Sequence, residues 1–212
     1  VALALVSSPA ISQIQPKSGG YLFRYRFTSG RTYKYTVKTT IWQPTGKSIS
    51  FSGPYLETVK GIKAEKGMIS AVLGPFKSPT ATVMPSMEFR YYQSTLGKIQ
   101  GPPNVPQSPV VFQESPVKIG QSWEGSTSGQ ALGSNTVIKA KYTLVRLTTV
   151  KGHRVAELRV VFTSKGQSDT SGTGTIDMLA DDGSIFSSSM NLTMTAPKSN
   201  QMMRIESIVA RN

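Results

Sequence analysis

Cysteine is missing altogether from the 212 residues. That excludes a disulfide framework and any thiolate metal site. Histidine occurs once, at His153, so a multi-histidine metal site is excluded. A Ser-His-Asp or Cys-His constellation would have to use that one residue. It sits beside a turn signal, where a histidine is ordinarily solvent-exposed. Acids are scarce, 11 against 24 Lys and Arg. Nothing in their spacing picks out the two carboxylates that glycosidic-bond cleavage needs. The one acidic cluster, Asp177, Asp181 and Asp182, matches a turn better than a calcium loop, which has regularly spaced oxygen ligands and a distal Glu. Gly172 and Gly174 stand at a strand start with no helix to follow, so they make no phosphate cradle. No apolar run reaches the ~18–20 residues of a membrane-spanning helix. The expectation is a protein that is not an enzyme, with no cofactor and no metal.

Positive charge is what the chain has in excess. The net charge is +13 and the pI about 10.0, yet charged residues make up only 17%. The surface is therefore largely Ser, Thr, Gln, Asn and Gly with scattered lysines. Nucleic-acid binders cluster their basic residues, so no specific nucleic-acid partner is expected. A charge of this size still favours anionic partners such as a polysaccharide or a charged surface.

Period-2 alternation dominates the pattern. Tyr21–Thr28 and Thr32–Trp42 read as strands, and a loop at Thr28-Ser29-Gly30 would set Tyr25 opposite Tyr33 and Phe23 opposite Tyr35. The other face of that hairpin would gather Arg24, Arg26, Lys34 and Lys38 into a possible anion-facing surface. Residues 43–54 read as a turn region with a short strand near Ser48–Phe51. Leu56–Ala64 and Met68–Leu73 form a second hairpin, with Val59 opposite Leu73. Ser86–Ser94 reads as a strand, the proline-rich stretch 96–116 as a loop and 122–135 as loop-like. Thr136–Thr149 and His153–Thr163 pair with Leu144 against Leu158, Tyr142 against Val160 and Ala140 against Phe162. Gly174–Leu179 and Ser184–Ala196 put Met178 opposite Phe186, and Gln201–Ala210 is the last strand. Four hairpins (TSG, EKG, VKG, DDG) share a three-residue loop ending in glycine, which supplies the left-handed conformation needed there. The predicted fold is all-β: an antiparallel meander forming a barrel, half-barrel or two-sheet sandwich, with an extended N-terminal strand. Residues 1–18 are read as the extended segment and 19–212 as a single domain.

The segment Pro116 to Trp123 reads PVKIGQSW. It resembles the V-K-x-G-x-x-W stretch of uncharacterised exported bacterial β-rich proteins and lipoproteins. The Tyr-rich first strands and the segment from Gly172 to Asp177 (GTGTID) are similar to theirs too. The resemblance implies export and a β-fold and transfers no functional residues. Those proteins often carry a lipidated cysteine, which these 212 residues lack.

Val1–Gln15 (VALALVSSPAISQIQ) is the longest apolar, nearly uncharged run. Ser8-Pro9-Ala10 has the small residues of a signal-peptidase site, so the run reads either as a signal remnant or as a strand. As a strand it would insert Val1, Leu3, Leu5, Val6, Ile11 and Ile14 into the sheet of a neighbouring copy. The first functional expectation is therefore a secreted or cell-surface structural protein, a filament subunit that self-assembles by strand donation. The second is an exported half-barrel holding a lipid or other small ligand among Tyr21, Phe23, Tyr33, Met178, Phe186, Met190 and Met194. The third is a polysaccharide-acting enzyme.

Overall fold

The computed structural model describes residues 14–79, 82–102, 105, 110–131, 134–165, 169–195 and 202–212. Among them every regular element is a strand. In chain order these are β1 (Ile14–Lys17), β2 (Gly20–Phe23), β3 (Thr32–Trp42), β4 (Ser48–Lys63), β5 (Lys66–Leu73), β6 (Phe76–Lys77), β7 (Thr82–Met84) and β8 (Met87–Gln93). They continue as β9 (Ile99–Gln100), β10 (Ser122–Ala131), β11 (Ser134–Val150), β12 (His153–Lys165), β13 (Thr170–Leu179), β14 (Ile185–Thr195) and β15 (Met202–Arg211).

The all-β, antiparallel architecture agrees with the alternation in the sequence. β1 and β2 make a small hairpin, and the other 13 strands make one sheet. That sheet runs β10-β11-β12-β13-β14-β15-β3-β4-β5-β8-β9, with β6 and β7 attached through β4. Among the described residues its end strands β10 and β9 do not pair, so it is an open sheet, in keeping with a half-barrel or a sandwich and not a closed barrel. Two meanders, one on each side, join at a seam where β15 pairs antiparallel with β3, Val209 opposite Val37 and Ile205 opposite Ile41.

Turn chemistry decides several registers. Lys151 and Gly152 both have positive φ, 49° and 81°, and close a tight two-residue turn. The expected pairs Leu144–Leu158, Tyr142–Val160 and Ala140–Phe162 form. A bulge after Leu144 then sets Glu157 across from Arg146, where the unbroken alternation placed Val145. The β4–β5 turn is also shorter than expected. Ala64 and Glu65 take the positive φ values, 47° and 62°, and Gly67 already belongs to β5. Val59 therefore faces Ile69 instead of Leu73. A bulge near Asp177 gives Met178 the partner Ile185 instead of Phe186.

The TSG hairpin does not form. β2 folds back on β1, with Phe23 opposite Ile14, and Tyr33 and Tyr35 face Glu57 and Tyr55 of β4. The aromatic residues explain the choice. Phe23 packs against Phe112 and Trp123 in one core cluster, while Tyr33 and Tyr35 pack in the other. One loop expectation is corrected, and the short strand expected near Ser48–Phe51 forms but runs on much further. The Ser/Thr/Gly-rich stretch 122–131 is the edge strand β10, and Ser48–Phe51 is the beginning of the long strand β4.

The described residues of the proline-rich stretch 96–116 are mostly loop, but several of its side chains are core. Val105, Val110, Val111, Phe112 and Val117 are all buried. Val110, Phe112 and Val117 form a plug that packs with Ile14 and Phe23 in one core cluster, and Val105 packs in the other. The Trp123 indole N–H donates to the Val111 carbonyl (2.9 Å) and anchors this plug. The V-K-x-G-x-x-W segment has a local reason for its residues. Val117 bridges to Tyr21, Gly120 turns with φ 82° and donates to the Leu144 carbonyl (2.7 Å), and Trp123 enters the core.

Candidate ligand pocket

The inner face near the seam is a ladder of directly opposed residues. One row runs Tyr33, Glu57, Ala71, Phe89. The next runs Arg211, Tyr35, Tyr55, Leu73. Then come Ser188, Val209, Val37, Gly53, and after them Met190, Ser207, Thr39, Phe51. The last full row is Leu192, Ile205, Ile41, Ile49. Polarity falls along this ladder from carboxylate and phenols to plain hydrocarbon.

A pocket of about 270 Å³ occupies the polar end. Its walls come from β3, β4, β5, β8, β14 and β15, and its cover from the strap 24–31, which contributes Tyr25, Arg26 and Phe27. The strap is held by backbone bonds: Tyr25 N–H to Thr95 O (2.8 Å), Arg26 N–H to Asp182 O (3.1 Å) and Gly30 N–H to Val59 O (2.7 Å).

Glu57 is the chemical centre of the pocket. It is half-buried and lines the pocket. The Tyr55 and Tyr91 hydroxyls both donate to its Oε1, each at 2.6 Å. Burial raises the Glu57 pKa above the ordinary carboxylate value, and the two phenolic hydrogen bonds oppose that rise. Burial also raises Tyr35, Tyr55 and Tyr91 well above the usual phenol range and Tyr33 to about 12, so all four stay neutral at physiological pH.

A second carboxylate closes the rim. Asp182, with a side chain 2% exposed, forms an ion pair with Arg31 at 2.9 Å. That contact lacks hydrogen-bond alignment at Oδ2. Oδ1 accepts from both the Ser184 N–H (2.9 Å) and the Ser184 hydroxyl. Arg211 donates to Ser184 Oγ at 2.9 Å. The Arg31 and Arg211 guanidinium groups each lie 5.2 Å from the Tyr33 ring centre.

Among the described residues no such closure covers the apolar end of the ladder. Val37, Ile41, Leu192, Met194, Met203 and Ile205 are only partly buried, and Ile49 is 45% exposed. Gly172 and Gly174 lie under this strip on β13. A Cβ on Gly172 would stand 2.8 Å from Leu192 Cδ2 and 2.5 Å from the Asn191 carbonyl oxygen. The GTG segment is thus the bed on which Met190 and Leu192 rest.

Of the residues expected to line a ligand cavity, Tyr33 and Met190 do so, and Met194 lies on the strip. Phe23 and Met178 are buried in the core instead, with Tyr21 packed against them. Phe186 packs on His153 with ring centres 5.5 Å apart. Of the expected inter-subunit strand, Val1, Leu3, Leu5, Val6 and Ile11 lie outside the described residues. Ile14 belongs to its own chain's core, 2% exposed, with its N–H donating to the Ala180 carbonyl at 3.0 Å.

The four expected anion-facing residues are not gathered together. Lys34 and Lys38 are exposed on the outer face of β3, and Arg26 is exposed beside the pocket. Arg24 is tied to the carbonyls of Phe23 (2.6 Å), Gln113 (3.0 Å) and Glu114 (2.9 Å). Glu57 escaped notice because strand alternation alone does not price an acid. The signal was present: in Tyr55-Leu56-Glu57-Thr58-Val59 the acid takes an inward position between a tyrosine and a valine.

No protein-family model and no curated protein matches this chain. Two solved structures resemble it in shape. One is a "putative lipoprotein" from Parabacteroides distasonis, at 11% identity and TM-score 0.43, covering 88% of this chain and 95% of that one. The other is a "putative exported protein with YmcC-like fold" from Bacteroides fragilis, at 9% identity and TM-score 0.37, covering 89% and 97%. At these values the likeness carries nothing about function.

Proposed function

We propose that this chain is a non-enzymatic, exported half-barrel that binds a small amphipathic molecule on the inner face of its sheet. One observation carries the reading. A pocket of about 270 Å³, near the lower end of ordinary small-molecule sites, adjoins by register an apolar strip that is half-exposed among the described residues. A filled core would have no such strip beside it. Contiguous half-exposed apolar surface rimmed by polar groups is the mark of a binding groove. Export rests on the cysteine-free, Ser/Thr/Gly-rich composition. Strand donation between copies finds no support in the described residues, since Ile14 is used within its own chain.

Native mass spectrometry of the purified chain is expected to show a co-purified small molecule, or saturable uptake of decanol once it is stripped. Ile205→Glu puts a charge on a half-exposed position of the strip. It is expected to weaken decanol uptake about tenfold or more while leaving the fold intact by circular dichroism. Absence of saturable uptake in the wild type, or unchanged uptake by Ile205→Glu, overturns the reading.

A further inference from the structure

We propose that the closed end of the pocket recognises an ammonium group carried on an apolar tail, with Glu57 as its counter-charge and the surrounding tyrosines as its walls. This rests on the ligand-binding reading above and adds the chemistry of the head group.

The first argument is the missing partner. The chain has 24 Lys and Arg against 11 acids, so cations are plentiful. Nonetheless, among the described residues no cationic side chain forms an ion pair with Glu57. An enclosed carboxylate without a counter-charge is costly. The other acid of the pocket, Asp182, already has Arg31 at 2.9 Å. Glu57 alone is left for a charge arriving from outside.

The second argument is geometry. Two hydroxyls converge on Oε1, and a carboxylate has acceptor capacity beyond that on both oxygens. The hydroxyls fix the orientation of the group without supplying charge, and Glu57 lines the pocket. Such a carboxylate is held ready for one more, stronger contact.

The third argument is the wall. Tyr33 stands directly across from Glu57, and Tyr35 stacks on Tyr55 with ring centres 5.8 Å apart. Tyr33 already draws two guanidinium groups to its ring, so cation attraction by these rings is present within the chain itself. Aromatic faces beside a carboxylate are the chemistry that receives an alkylammonium ion. The apolar strip then lies where the tail of such a molecule would run.

Calorimetric titration of the full chain tests this with four probes of one chain length, each below its micelle concentration: decyltrimethylammonium, decylammonium, decanol and decanoate. Both ammonium probes are expected to bind about tenfold or more tighter than decanol, a difference an unscreened ion pair readily supplies, with decanoate weakest. Glu57→Gln is expected to abolish that preference, whereas Tyr91→Phe, which keeps the carboxylate, is expected to retain it. Decanol binding as tightly as the ammonium probes in the wild type means that Glu57 acts as a neutral hydrogen-bonding group, and overturns the proposal while the ligand-binding reading survives. A preference undiminished in Glu57→Gln overturns it as well. If no probe binds saturably, both readings fall together. The wild-type comparison needs no variant, so a misfolded substitution does not shield the idea.

Discussion

Met190 lies directly over Gly174: a Cβ on that glycine would stand 2.3 Å from the Met190 sulfur and 2.5 Å from the Ser189 carbonyl oxygen. The sulfur could swing aside, but the carbonyl belongs to the paired strand and cannot. Gly174→Ala is therefore expected to destabilise the fold by about 1–3 kcal/mol, the usual cost of overpacking. Urea unfolding that shows a lower midpoint with an unchanged slope is the confirming result. A midpoint equal to the wild type's means that β13 and β14 are less tightly apposed than described.

Glu57 makes the stability of the empty protein depend on pH. Burial raises its pKa, so the folded form keeps a proton at pH values where the unfolded chain has released it. Stability is then fullest below the unfolded carboxylate value of 4.5 and falls as pH rises through the folded pKa. The phenols facing it do not titrate in that window, since burial raises all four. Glu57→Gln is expected to melt at a higher temperature than the wild type at pH 8, with the gap closing toward pH 4. A gap that stays constant or widens in acid contradicts this.

Asp182 fastens the strap to the opposite arm of the sheet through Arg31, Ser184 and the Arg26 amide. Asp182→Ala removes the side-chain contacts and leaves the Ser184 groups without their acceptor. A loss of about 1–3 kcal/mol is expected. Hydrogen exchange should locate it, with faster exchange at the Arg26 and Gly30 amides and little change at Leu144. Uniform acceleration across the chain would mean that Asp182 serves the whole core and not the strap.

Leu144 and Leu158 face each other at the centre of the second meander, both fully buried. Leu158→Ala is expected to cost about 2–5 kcal/mol from lost burial and the cavity left behind. Chemical denaturation monitored by Trp123 fluorescence measures it, because that residue packs in the same cluster.

The β11–β12 hairpin was legible because Ala140, Tyr142 and Leu144 alternate on one face and a Lys-Gly turn follows. Leu144, Tyr142 and Ala140 had one partner set that kept the buried faces together. Elsewhere the same rule allowed two answers. Tyr33 and Tyr35 alternate equally well beside β2 or β15, and the packing of Phe23 with Phe112 and Trp123, distant in sequence, takes β2 elsewhere and leaves that edge of β3 to β15. The bulges at Val145 and Lys60 shift register by one residue, and at Val145 the inward position passes from Leu144 to Leu147. Val110 and Phe112 read as loop because prolines surround them, yet their own side chains are core. The pocket was half visible: Tyr33 was read as lining and Tyr25 and Tyr35 as inward-facing, but Glu57 and Asp182 come to one pocket only through pairings between segments far apart in the chain.

The seam between β3 and β15 sets the order in which the molecule can be made. Thr39 and Ser207, whose hydroxyls meet there at 3.5 Å, are 168 positions apart. Hairpins within each meander are local and close early, whereas contacts at this separation come last and slow the whole process. Until Met202–Arg211 has been synthesised, the first meander waits with one side of β3 bare, a row of unpaired backbone groups open to any passing chain. A ribosome stalled short of that strand therefore yields a sticky fragment, and a chaperone that shields the β3 edge is the helper this topology calls for.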